Sequence, residues 1–292
     1  MFELNTLVSG IAFGESPRWH DGRLWFADWG TREIIAVDLD GSREVVLRVP
    51  TAGDRDAGGA NQGPFSIDWL PDGRLLIVSG RDRLLLRREP DGSLVSHADL
   101  SSLDYGWNEL VVDGHGNAYL NGAGFDFVAG EEFVPGIVAL ATPDGAARQV
   151  ADRIAFPNGM AVTPDNATLI VADSYGRCLW GFDIGEDGGL SNRRVWAGVG
   201  EGAPDGICID ADGAVWYADV PNRRCERVRE GGEVLQRIEL DRGCFACALG
   251  GPDGRTLFLV ATQWGGAQRT AELAGSGQIL MAEAPAPRAG WP

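Results

Sequence analysis

Six segments of this 292-residue chain repeat one pattern. They open at Glu15, Phe65, Asn108, Asn158, Asp205 and Ala246. Each runs through an apolar stretch to an Asp-Gly-type turn and returns through a second apolar stretch. The turns fall at Gly22, Gly73, Gly116, Asn166, Gly213 and Gly254, and the first copy reaches its turn one residue early. A repeat of about 40–50 residues built from strand, turn and strand is the mark of a β-propeller. The chain is thus expected to be all-β: one six-bladed propeller over residues 1–292, with four-stranded antiparallel blades and a central metal site.

Within each copy apolar residues alternate, as at Leu75 and Ile77 or Leu169 and Val171, which half-buried strands require. Further strands are expected over 33–38, 84–88, 136–141, 178–183 and 224–229, with fourth strands such as 45–49 and 234–240. No stretch of ten residues carries a convincing helical period, and 42 glycines suit a fold rich in turns. Segments 3–8 and 278–283 are expected to pair and close the ring. The Pro-rich tail 284–292 is expected at the surface. Two connectors, 51–63 and 121–136, are long, and the second interleaves Phe125, Phe127 and Phe133 with acids. Long loops on a rigid scaffold are where binding concentrates.

In a propeller the innermost strand of each blade lines the central channel. The residues opening those strands therefore converge at one face, although they lie far apart in sequence. Of the six, Glu15, Asn108, Asn158 and Asp205 carry hard oxygen donors, and Phe65 and Ala246 are apolar. Two carboxylates and two carboxamides suit Ca²⁺, Mg²⁺ or Mn²⁺ better than soft metals. Pro157-Asn158-Gly159 and Pro204-Asp205-Gly206 also read as turns. Each is nevertheless followed at once by a strand and stands in register with Glu15.

Net charge is −17, which argues against nucleic acid and against an anionic membrane surface. No apolar run is long enough to span a bilayer and the N-terminus has no signal-like pattern, so a cytoplasmic protein is expected. Five cysteines fit reduced thiols. Cys244-x-x-Cys247 has no second pair and reads as core packing. His20, His97 and His115 lie outside the ring, which argues against a Ser-His-Asp triad and a His-ligated zinc.

Glu15-Ser-Pro-Arg-Trp, Asn108-Glu-Leu-Val-Val-Asp, Phe156-Pro-Asn-Gly-Met-Ala, Pro204-Asp-Gly-Ile-Cys-Ile-Asp and Ala246-Cys-Ala-Leu-Gly-Gly occur in this order. Together they make the chain resemble the SMP-30/gluconolactonase (regucalcin-like) family of six-bladed propellers. The resemblance implies a divalent metal held by Glu15, Asn158 and Asp205, with Ca²⁺ favoured and Mg²⁺, Mn²⁺, Zn²⁺ or Fe²⁺ as alternatives. It implies that Asn108 touches substrate or a water on the metal. It also implies a lactonase or related esterase-type hydrolase acting on a small lactone or ester.

Asp205 is the expected general base, with Asn108 orienting the carbonyl or the water. Sugar-lactone members often carry an Arg two residues before Asn108 and an Asp after it. Here these are Gly106 and Glu109, with Trp107 between. Trp107, Glu109, Phe65 and Phe125 are therefore expected to contact substrate in a more apolar pocket, with Trp29 and Trp264 as further wall candidates. Strictosidine-synthase-like and phosphotriesterase-like enzymes share the plan, and a non-enzymatic calcium- or protein-binding propeller is the remaining alternative. The sequence leaves oligomeric state open.

Overall fold

The six repeat turns all bend through the left-handed region. Gly22, Gly73, Gly116, Gly213 and Gly254 have φ of 74° to 85°, and Asn166 has φ 57°. Glycine and asparagine adopt that conformation at least cost, which is why these residue types punctuate the repeats. In the computed structural model each turn joins an inner strand to the next strand outward. The structure describes residues 2–49, 64–80, 82–103, 105–126, 129–266 and 275–292. The connector 51–63 and residue Phe127 lie outside the described residues.

The strands form six antiparallel sheets. Blade 1 holds β2 (Gly14–His20), β3 (Arg23–Asp28), β4 (Glu33–Val37) and β5 (Arg43–Arg48). Blade 2 holds β6 (Phe65–Trp69), β7 (Leu75–Ser79), β8 (Leu84–Arg88) and β9 (Leu94–Asp99). Blade 3 holds β10 (Gly106–Val112), β11 (Ala118–Ala123), β12 (Gly136–Ala141) and β13 (Ala147–Ile154). Blade 4 holds β14 (Pro157–Val162), β15 (Thr168–Asp173), β16 (Cys178–Ile184) and β17 (Leu190–Gly198). Blade 5 holds β18 (Pro204–Asp210), β19 (Val215–Asp219), β20 (Arg224–Val228) and β21 (Val234–Glu239). Blade 6 holds β22 (Gly243–Gly250), β23 (Thr256–Thr262) and β24 (Gly277–Glu283), completed by the N-terminal strand β1 (Asn5–Ile11).

The inner strands touch in the cyclic order β2, β6, β10, β14, β18, β22 and back to β2, so the disc is closed. Burial follows position: β7 and β19 are wholly buried, whereas the outermost β5 and β21 are mostly open to solvent. Six apolar clusters fill the six interfaces between neighbouring blades. The core is therefore a ring of wedges around the channel. All five cysteines are free and buried, and Cys208, Cys225, Cys244 and Cys247 belong to the wedge between blades 5 and 6.

Ring closure pairs β1 with β24, from Asn5 opposite Met281 to Ile11 opposite Gly277. Val8 and Ile11 are buried by it, each worth about 1.5–3 kcal/mol by area. The tail corrects the expectation of a surface segment. Its strand β25 (Arg288–Ala289) pairs with Ile209 and Asp210, and Trp291 bridges Val162. Ala284 and Ala286 are buried. The tail thus crosses the channel mouth at the far ends of β14 and β18. Composition suggested exposure because prolines disfavour long strands, but two short pairings suffice to hold it.

Candidate active site

An extra residue in the inner strand creates the site geometry. In β10 Trp107 faces Gly122 and Glu109 faces Asn121, leaving Asn108 without a cross-strand partner. In β14 two residues, Asn158 and Gly159, stand between Pro157 opposite Asp173 and Met160 opposite Val171. In β18 Asp205 and Gly206 occupy the same place between Pro204 and Ile207. The register of β2 shifts between Glu15 and Arg18. Such bulges twist a strand locally and re-aim a side chain, here at the channel mouth. Gly159 and Gly206 permit the resulting close approach, since a Cβ on Gly159 would lie 2.5 Å from the Asp205 carbonyl oxygen.

Strand β6 has no bulge. Phe65 faces Ser79 as Pro157 faces Asp173, so Ser66, not Phe65, stands at the level of the ring. This corrects the assignment of Phe65 to the cup. Phe65 and the fully buried Trp107 are core residues of the blade 1–2 and blade 2–3 interfaces. Ala246 likewise packs between blades 6 and 1.

The four expected polar residues do converge. Asn108 Nδ2 donates to Asn158 Oδ1 at 3.3 Å. The Asn158 carboxamide also favours the ionised form of the Asp205 carboxylate. Asn158 Nδ2 lies 3.4 Å from Ser174 Oγ, which donates to the Pro204 carbonyl at 2.7 Å and ties blades 4 and 5 together. Asn121 Nδ2 holds the Asn158 carbonyl. Glu15 and Asp205 are raised well above the ordinary carboxylate range. Burial is the main cause for both; Asp205 and then Glu109 add to it for Glu15, and Glu109 for Asp205.

A second polar layer lies beneath the ring. Glu109 is buried, and its Oε1 accepts from Leu110 N at 2.9 Å, Arg18 Nη2 at 3.1 Å, Ser16 Oγ at 3.3 Å and Ser66 Oγ. Arg18 Nη2 also donates to the Leu110 carbonyl at 2.7 Å. Glu109, expected to touch substrate, is therefore engaged from below by one oxygen. Arg18, the nearby cation, is committed to this layer.

Three aspartates missed in the sequence hold the ring in place. Asp173 accepts from Ala155 N (3.0 Å), Phe156 N (2.9 Å), Gly176 N (2.8 Å) and Trp180 Nε1 (3.0 Å). Asp28 accepts from Ala12 N (3.0 Å), Phe13 N (2.9 Å) and Gly30 N (3.0 Å). Asp219 accepts from Ala203 N at 3.3 Å and pairs with Arg224. Each clamps the backbone two residues before Glu15, Asn158 or Asp205. The signal was present as Ala27-Asp28, Ala172-Asp173 and Ala218-Asp219. The other three blades carry Ser79, Ala123 and Thr262 at this position.

A divalent cation fits this donor set. At the ring the half-buried Asp205 repels the buried Glu15, carboxamide oxygens stand beside them, and the adjacent guanidinium is spent elsewhere. Among the described residues no three His, Cys, Asp or Glu side chains form a metal-holding group, so carboxamides have to complete any such sphere. No helix among the described residues is long and apolar enough to cross a membrane.

Comparison with known proteins agrees with this architecture. A 6-deoxy-6-sulfogluconolactonase from Pseudomonas putida is 32% identical over 121 residues, 40% of this chain and 42% of that protein. The match thus spans less than half of that relative. Diisopropyl-fluorophosphatase from Loligo vulgaris is 28% identical over 222 residues, 70% of this chain and 69% of that protein. Among solved structures a luciferin-regenerating enzyme superposes with a TM-score of 0.80 at 18% identity, covering 99% of this chain and 98% of the other, which bears on the fold. Residues 13–263 match the family described as SMP-30/Gluconolactonase/LRE-like region, and the chain belongs to that family.

Proposed function

We propose that the protein is a divalent-cation-dependent hydrolase that opens a lactone ring at the Glu15–Asn108–Asn158–Asp205 cup. The observation that carries this reading is the pair of carboxylates at the channel mouth, Glu15 buried and Asp205 half-buried, beside the hydrogen-bonded carboxamides of Asn108 and Asn158. Membership of a family with a lactonase among its relatives supports it. Glu15, Asn158 and Asp205 would hold the cation, with Ca²⁺ favoured. When bound, it supplies Lewis acidity to the ester carbonyl.

The chain's own residues do the rest. Asp205 accepts the proton of the attacking water, a role a carboxylate within hydrogen-bond reach can serve. Asn108 places a carboxamide donor at the mouth, where it stabilises negative charge developing on the carbonyl oxygen. Asn158 holds Asn108 at the ring through their carboxamide hydrogen bond and favours the ionised form of Asp205. Five free buried cysteines suit a reducing compartment such as the cytoplasm.

The fluorophosphatase relative favours one second reading, hydrolysis of a phosphotriester at the same cup. Turnover of sugar lactones, alkyl lactones, aryl esters and phosphotriesters, with each of Ca²⁺, Mg²⁺, Mn²⁺, Zn²⁺ and Fe²⁺, separates the two. The lactonase reading expects turnover of at least one lactone that Asp205→Ala abolishes. Activity on phosphotriesters alone would replace it.

A further inference from the structure

Two aromatic walls stand on opposite sides of the cup. One lies on blades 3 and 4. Phe156 stacks on Tyr175 with ring centroids 4.7 Å apart, and Phe125 sits 5.9 Å from Phe156 and 5.5 Å from Phe133. The other lies on blades 6 and 1. Phe13 stacks on Trp29 at 5.4 Å and meets Phe245 edge-on at 4.9 Å, and Phe245 meets Trp264 at 5.4 Å. In a closed ring of six, blade 3 faces blade 6 and blade 4 faces blade 1, so the walls oppose each other across the channel mouth.

Both walls hang on the machinery of the ring. The Asp173 clamp fixes the backbone of Phe156, and the Asp28 clamp fixes that of Phe13. Tyr175 follows Ser174, which holds Asn158. The carboxylates nearest the walls are spent on backbone amides, leaving them little capacity to bind hydroxyl groups. The wall on blades 3 and 4 is also not ordinary core. Phe133 and Tyr175 are 50% and 54% exposed, and they are the only aromatics among the exposed large apolar side chains of the described residues. Val134 follows Phe133 in the same loop, whereas Val45, Val95, Val195 and Val234 are scattered on outer strands.

We propose that these walls bind an apolar substituent of the substrate, so that the preferred substrate is a lactone bearing an aryl or alkyl group, not a free polyhydroxylated one. This rests on the hydrolase reading above. Aromatic side chains lining a cleft beside a few convergent polar groups are the usual build of a small-molecule site. The seat lies directly beside the cup, which matches a ligand whose ester group reaches the ring while its apolar part lies against a wall.

The test uses the Ca²⁺-loaded protein. Steady-state constants are measured for dihydrocoumarin, δ-undecalactone and glucono-δ-lactone. Binding of the lactam analogue of dihydrocoumarin, which is not turned over, is followed by tryptophan fluorescence. The cleft predicts kcat/KM at least about tenfold higher for the apolar lactones than for the sugar lactone. Phe133→Ser and Tyr175→Ser, at exposed positions, should cut that preference and weaken lactam binding by about tenfold, mainly through KM. Val195→Ser on β17 should change neither.

Equal or better turnover of the sugar lactone, or lactam binding untouched by both wall variants, overturns the proposal. Absence of turnover on every lactone and ester would sink the hydrolase reading alone, provided the lactam still binds and the wall variants weaken it. If the lactam does not bind, the cleft falls. If sedimentation shows a dimer that Tyr175→Ser dissociates without altering lactam binding, the walls are an interface between copies, and the cleft falls likewise.

Discussion

Asp173 satisfies four donors with one side chain, and its counterparts Asp28 and Asp219 stand at the same place in blades 1 and 5. These are the three blades whose ring residues would hold the cation. Asp173→Ala should strand buried amides at roughly 1–3 kcal/mol each. It should also weaken cation affinity about 10–100-fold, as loss of an outer support typically does. Thermal unfolding and cation titration of the variant check both effects. Asn108→Ala should lower kcat more than cation affinity; an equal loss of affinity would make Asn108 a full ligand.

The raised Glu15 and Asp205 also carry a pH consequence. Between the ordinary carboxylate range and their raised values, the folded chain keeps protons that the unfolded chain has released. The stability held by those protonated groups is complete below the ordinary range and is lost as pH climbs through the raised values. Chelated protein should therefore lose melting temperature with rising pH more steeply than Glu15→Gln does. Added divalent cation should remove the difference. Parallel curves for the two proteins would contradict the coupling.

At the level of strands, the bulge decides which side chain reaches the cup. Counting back from the turns placed Glu15, Asn108, Asn158 and Asp205 at the mouth because their strands share the same irregularity. The same count misplaced Phe65, because β6 lacks the extra residue. A bulge shows in cross-strand pairing, not in the period-two pattern of one strand, so the sequence alone did not reveal it. Trp107 and Glu109 were expected at the substrate because they flank Asn108 where the resembling family carries substrate contacts, but the bulge at Asn108 aims neither of them there in the same way.

The tail is the second element whose role depends on distant pairing. Removing residues 285–292 takes away the pairing on β18 and the Trp291 contact beneath blades 3 and 4. The expected loss is about 1–3 kcal/mol, since Trp291 is only partly buried and the pairing on β18 is short. Cation affinity should change little, because the tail crosses the opposite mouth. Urea unfolding beside a cation titration of the truncated chain measures both.

For the whole molecule, the repeat and its spacing were enough to read six blades and the closure of β1 on β24, because both are written as local pattern at regular intervals. The walls were readable only in part: Phe125, Trp29 and Trp264 stood out as candidates, but their partners did not. Phe13, Phe156 and Tyr175 belong to different loops, and only the closed ring brings them beside the cup. The identity of the proposed cation is equally non-local, since it would depend on how Glu15, Asn158 and Asp205, from three blades, share one space.

The most direct measurement is the lactone hydrolysis rate of chelated protein as a divalent cation is returned. The account predicts that chelation removes activity. It predicts that activity returns at one cation per chain, and that Glu15→Gln and Asp205→Asn need far more cation or fail to recover. Full activity in the chelated protein, or recovery in both variants identical to wild type, would contradict a cation-dependent site at the mouth of this ring.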